Sequence, residues 1–197
     1  MRYQTTNITT RAKVGLIGLI LVVAFYWPAI AKIGPVSLEQ AVKQSTGILL
    51  GKVKKICDVN GSKVAEIEVT RALKGCMAGD IFFVYAAPTW ACDISCASEG
   101  ETDIMLLTTD CPIFKPQEKF AKAFAALAGE KNLHFFVHSG GGRIQVNGPA
   151  AEQVGEVNGY INLPESLQTA KKNGDKTLVP FDTLWSTLKE RVEMDEK

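Results

Sequence analysis

Two short spacings hold the residues that could do metal or thiol chemistry. Cys92-x3-Cys96 and His134-x3-His138 together offer the four ligands of a tetrahedral zinc ion. The histidines, however, flank Phe135-Phe136-Val137, a run with strand character. Four residues of strand hold the two rings about 13 Å apart, whereas ligands of one ion each lie about 2 Å from it. Two exposed strand histidines are therefore expected, and no metal. Cys-x3-Cys is also one residue longer than the Cys-x2-Cys of thiol oxidoreductases, and it lies in an irregular loop. Asp93, Glu99, Glu101 and Asp103 surround Gly100 without placing a glycine at the sixth position of a calcium loop, so they are read as a solvated loop. Gly47-x3-Gly51-Lys52 is one residue short of a phosphate-binding loop and has Val53 where Ser or Thr must meet magnesium. Ser186-x2-Lys189 has a nucleophile–base spacing but no companion motif. The sequence thus assigns no catalytic residue, no metal and no cofactor, and points to a protein that acts by binding.

The location of these residues follows from the start of the chain. Arg2, Arg11 and Lys13 precede residues 14–27, which carry no charge; Pro28 interrupts, and Ala29-Ile30-Ala31 forms a small-x-small cleavage site before Lys32. Residues 1–31 are read as a signal peptide or as a membrane anchor. As a helix, residues 14–31 would nearly cross a hydrocarbon core about 30 Å thick. In both readings the positive end stays in the cytoplasm and residues 32–197 face away from it, periplasmic, secreted or held at the inner membrane. Contact with lipid is then confined to the N-terminal segment.

Composition agrees with a folded exported body. With 46% hydrophobic and 22% charged residues, the chain is neither disordered nor polytopic. Its formal charge of +1 hides a body of 19 basic and 21 acidic residues, net −2. That balance excludes the electrostatic footprint of nucleic-acid binding. All five cysteines, Cys57, Cys76, Cys92, Cys96 and Cys111, fall in the exported part, where disulfides form and an odd count leaves one thiol over. Proximity favours Cys92–Cys96 or Cys76–Cys111.

The elements that position these residues read as follows. Ser37, three residues before Gln40, opens a helix with a capping box. Residues 46–57 form a long strand whose in-out pattern shifts at Gly51, a sign of a bulge or bend. Asn60-Gly61 turns the chain into a return strand with Ala65, Ile67, Val69 and Leu73 on one face. Residues 81–85 and 102–109 are apolar on both faces and read as buried strands, with Leu73, Ile104 and Leu106 expected in the barrel core. A helix over 116–128 precedes a strand pair, 133–138 with 143–147, around the Gly140-Gly141-Gly142 loop. A short hairpin at Asn158-Gly159, a brief helix over 166–172 ending at Asn173-Gly174, and a final helix from Pro180 complete the chain. The last helix carries Phe181, Leu184, Trp185, Leu188 and Val192 as a core stripe. The fold class is mainly β with flanking helices, α+β. Residues 32–197 are read as a single domain built on a five- or six-stranded barrel of oligonucleotide/oligosaccharide-binding (OB) type.

Several segments resemble a known family. Residues 37–42, Ser-Leu-Glu-Gln-Ala-Val, with Gly47 and Gly51-Lys52-Val53, are similar to the opening of netrin-like domains, the family of the tissue inhibitors of metalloproteinases. Residues 69–75, Val-Thr-Arg-Ala-Leu-Lys-Gly, resemble the end of their second strand, and Cys96 to Gly100-Glu101 resembles their Cys…Gly-Glu segment before the fourth. The resemblance implies an OB-type barrel in a secreted protein, and a disulfide from Cys92 or Cys96 to Cys111. It does not carry over the inhibitors' zinc-chelating N-terminal cysteine, because the first cysteine here is Cys57 and cleavage would expose Lys32. The expected partner is a protein or another envelope ligand. Trp90, a large aromatic in the loop, is the candidate contact residue, or else a lid over the barrel end. The alternative from another class is an envelope enzyme or a metal or thiol protein using the cysteine-rich region 90–111.

Overall fold

The computed structural model describes residues 34–88, 94–112, 114–168 and 171–197; Ala29, Ala31, Trp90 and Cys92 lie outside them. The described chain begins with β1 (Val36–Ser37) and α1 (Leu38–Gln44). Ser37 Oγ accepts the Gln40 N–H while the Gln40 side chain accepts the Ser37 N–H, so the capping box closes and Leu38, Ala41 and Val42 turn inward.

Strands β2 (Gly47–Val59) and β3 (Ser62–Lys74) form the long hairpin. Asn60 and Gly61 both have left-handed φ, 51° and 82°, as the tight turn between twisted strands requires. Next come β4 (Ile81–Tyr85), β5 (Thr102–Thr108), α2 (Glu118–Ala128) and β6 (Leu133–Phe136). β2 pairs with β3 and β5, β3 with β4, β4 with β6 in parallel, and β6 with β5. The ring closes as a five-stranded barrel. Its interior is filled by Leu49, Val53, Ile67, Val84, Met105, Leu107 and Phe136, as expected for so narrow a barrel.

The sheet does not stop at the barrel. From β5 it continues through β7 (Arg143–Asn147), β8 (Val154–Val157) and β11 (Lys176–Pro180) to β10 (Lys171–Asn173). β9 (Ile161–Asn162) pairs instead with β1, followed by the single turn of α3 (Glu165–Gln168). A second core joins the outer faces of β2, β5, β7 and β11 to α1 and to α4 (Phe181–Asp195), through Ile48, Ile104, Leu106, Ile144, Leu184 and Leu188. Arg71 of β3 lies over the Trp185 ring, 4.7 Å from its centroid, and Lys74 reaches Asp195 at 2.8 Å, fastening α4 to the barrel. A third, aromatic cluster seats α2, with Phe120 against Tyr85 and Phe114. Among the described residues no helix is long and apolar enough to cross a membrane.

Four sequence expectations are corrected here. Leu73, Ile104 and Leu106 belong to the second core, outside the barrel; Met105 and Leu107 fill its interior. The cause for Leu73 is Thr70, an extra residue between the pairs Leu50–Arg71 and Gly51–Val69, which flips the parity beyond it. β6 and β7 do not pair with each other but lie end to end along one edge of β5. β8 and β9 form no hairpin, since β9 leaves to pair with β1. Asn173-Gly174 ends no helix: it turns the hairpin β10–β11, with Gly174 at φ 64°.

Candidate functional site

One polar cluster interrupts the apolar barrel. Asp103 shares the inward parity of Met105 and Leu107 on β5, faces Gly51 across β2 and Gln145 across β7, and is fully buried at 0% exposure. Gly51 brings no side chain of its own, and there is no room for one: a Cβ there would crowd Ile67 and stand 2.8 Å from Leu49 Cδ1. Arg143, beside Met105 on β7, reaches across to the acid. Its Nε donates to Asp103 Oδ2 at 2.9 Å, its Nη2 to Glu101 Oε2 at 2.6 Å, and its Nη1 to the Cys96 carbonyl. Glu101 also accepts the Ser98 N–H at 2.7 Å and the Gln145 amide at 3.4 Å. Asp103 Oδ1 has no hydrogen-bond partner among the described residues. Burial pushes the Asp103 carboxyl above the usual carboxylate range; Arg143 opposes that shift and Glu101 adds to it.

The cluster fixes the loop that runs into β5. Gly100 N–H donates to the Val53 carbonyl at 2.8 Å, Val53 N–H to that of Glu101 at 2.9 Å, and Ile56 N–H to the Glu99 carboxylate at 2.9 Å. Ala97 packs against the barrel's inner cluster. At the other end of the loop, Ile94 N–H donates to Ser139 O at 3.2 Å. His138, Ser139 and Gly140 all have left-handed φ there, and a Cβ on Gly140 would lie 2.7 Å from the Ser95 nitrogen, so backbone meets backbone with no room for a side chain. The arrangement can hold a loop rigidly across the start of β5.

The four described cysteines do not gather. Cys57 is buried in the aromatic cluster and Cys111 is half-buried at its margin. Cys76 is half-buried near the Lys74 carbonyl, and burial pushes its thiol up to about 11. Cys96 is exposed. No disulfide joins these four among the described residues, and Cys96 is tied through its carbonyl to Arg143 instead. Cys92 and Trp90 lie outside the described residues.

The histidines are not a pair of exposed strand residues. His134 is half-buried in β6, its ring 4.6 Å from that of Phe82, and burial lowers its pKa, opposed by backbone hydrogen bonds with Phe83 and Asn132. His138 lies beyond the strand in the left-handed turn, with Nε2 2.7 Å from the Gly34 carbonyl. Among the described residues no three His, Cys, Asp or Glu side chains converge on a metal position.

Sequence reasoning missed Arg143 and misread Asp103 as a solvated loop acid; it is a buried strand residue. The signal was present. Asp103 sits two residues before Met105 on a strand otherwise apolar on both faces, and Arg143 and Gln145 are the alternate polar positions of β7. Comparison with family models and with curated proteins finds no match to this chain.

Proposed function

We propose that this protein is an exported, non-enzymatic binding module of OB type, related to netrin-like domains, that holds a protein or other envelope ligand through the loop leading into β5. The observation that carries the reading is the Arg143 cluster. A half-buried guanidinium spends its donors on a loop carbonyl and two carboxylates, which is a costly way to build a surface loop unless its shape matters. The apolar side chains that fill the barrel interior support binding on the outside. Trp90, four residues before Ile94 in the sequence, is of the type on which binding energy concentrates. The charge pattern of residues 1–31 supports delivery outside the cytoplasm, and the net −2 body gives no reason for a nucleic-acid partner.

The test is site-specific photocrosslinking in the native envelope. A photoreactive residue at Ile94, 40% exposed in the loop, is compared with one at Met77, 72% exposed in the β3–β4 turn. A discrete adduct from position 94 that disappears in Trp90→Ala supports the reading. Adducts from neither position, or stoichiometric zinc in the purified protein, overturn it.

A further inference from the structure

The Arg143 cluster is unbalanced. It sets two carboxylates, Glu101 and Asp103, against one guanidinium, and so holds one negative charge too many when both acids are ionised. The excess has nowhere to go. Asp103 is wholly buried, its Oδ1 meets no donor among the described residues, and Gly51 opposite brings no side chain. Among the described residues the elements around it are otherwise uncharged on that side: Leu49 and Val53 of β2, Ile67 of β3, Met105 of β5, Gln145 of β7, and Ala97 of the loop. Glu99 turns its carboxylate to the Ile56 N–H. A buried carboxylate in that position has two remedies, to keep a proton or to find water. Water reaches Oδ1 only if something above it moves. The loop 94–101, whose Ala97 packs against the barrel's inner cluster, is the segment nearest to hand; Arg143 helps hold it through Cys96 and Glu101, alongside the bonds of Ile94, Glu99 and Gly100.

We propose that Asp103 and Arg143 form a proton-linked latch that sets how long the loop 94–101 stays closed. With Asp103 protonated, the cluster is a neutral Arg143–Glu101 pair with a buried acid beside it, and the loop is held. With Asp103 ionised, the closed state carries the uncompensated charge and opening hydrates it. Opening therefore releases a proton. The direction follows from linkage: closure is fullest below the ordinary carboxylate pKa and is lost as pH rises through the raised pKa of the closed state, beyond which it changes no further. The inference rests on the proposed role of the loop only for its biological use; the latch itself needs no ligand.

Hydrogen exchange of the full chain, followed by mass spectrometry from pH 4 to 8 and corrected for intrinsic exchange, tests the latch without any partner. Protection of the 94–101 amides should fall by up to about tenfold per pH unit between the two pKa values and then level off, as one released proton requires. Asp103→Asn should make the profile flat. Glu101→Gln leaves one acid with one guanidinium, and should move the levelling-off point to lower pH. A flat profile in the unsubstituted protein, or an unchanged slope in Asp103→Asn, overturns the proposal. If Asp103→Asn does not fold, an unshifted profile in Glu101→Gln overturns it equally. Crosslinking from position 94 fails independently if the loop binds nothing.

Discussion

Replacing Arg143 by Met removes the cation and keeps most of the side-chain volume, so it isolates the charge. Arg143 is 17% exposed, Glu101 23% and Asp103 0%, so the carboxylates left behind are poorly hydrated. Breaking a buried pair by removing one partner costs about 3–5 kcal/mol, because the remaining charge is stranded. For a domain of this size each kcal/mol moves the melting temperature by about 2–4 °C, which places Arg143→Met roughly 10 °C below the parent. The deficit should shrink as pH falls, since protonation removes the stranded charges. Adding Asp103→Asn to Arg143→Met should recover part of the loss, because the most deeply buried carboxylate is then gone. A double-mutant cycle measured by urea unfolding gives the coupling directly. Arg143→Lys should recover little, since an ammonium cannot reach the Cys96 carbonyl and both acids in one planar fork. A loss below about 1 kcal/mol for Arg143→Met, or a double variant less stable than the single, would refute the account of the cluster, given that buried pairs behave as cited.

Other perturbations test the rest of the structure. Leu106→Ala, at 0% exposure in the second core, should cost about 2–5 kcal/mol by urea unfolding; a loss under about 0.5 kcal/mol would contradict its packing. Gly51→Ala must push against Ile67 and Leu49, and a loss of about 1–3 kcal/mol is expected, with a neutral result showing the β2 bend to be looser than described. Burial lowers the His134 pKa below its ordinary 6.5, so the folded state binds fewer protons than the unfolded and stability should fall as pH drops through that value. His134→Phe should remove this component of the pH profile between pH 5 and 7, and an unaltered profile would assign it elsewhere. A thiol reagent at pH 8 should label exposed Cys96 quickly and Cys76, its thiol pushed up to about 11, slowly; equal rates would contradict the burial of Cys76.

Local chemistry legible in the sequence accounts for the individual elements. The Ser37–Gln40 capping box, the Asn60-Gly61 turn, the doubly apolar strand at 102–108 and the stripe from Phe181 to Val192 each depend on residues near one another in the chain. Such signals survive without knowledge of the rest of the molecule. Closure into a barrel was readable as well, because four successive strands with a long bent first member have few other ways to bury both faces.

Tertiary structure alone decided which core each buried residue joined, and with it the site. Periodicity says that Ile104 and Leu106 face away from Met105 and Leu107, but both faces of β5 are covered, and nothing in the strand says which one is the barrel. A single extra residue, Thr70, moves Leu73 from one core to the other, and bulges of that kind leave no reliable mark in a pattern of period two. The partner of Asp103 lies forty residues away on β7, a strand attached to β5 end to end with β6 rather than paired to it. Hydrophobic patterning fixes which side of a strand is buried; only the closed sheet brings Arg143, Glu101 and Asp103 into one desolvated cluster, where their charges must be balanced.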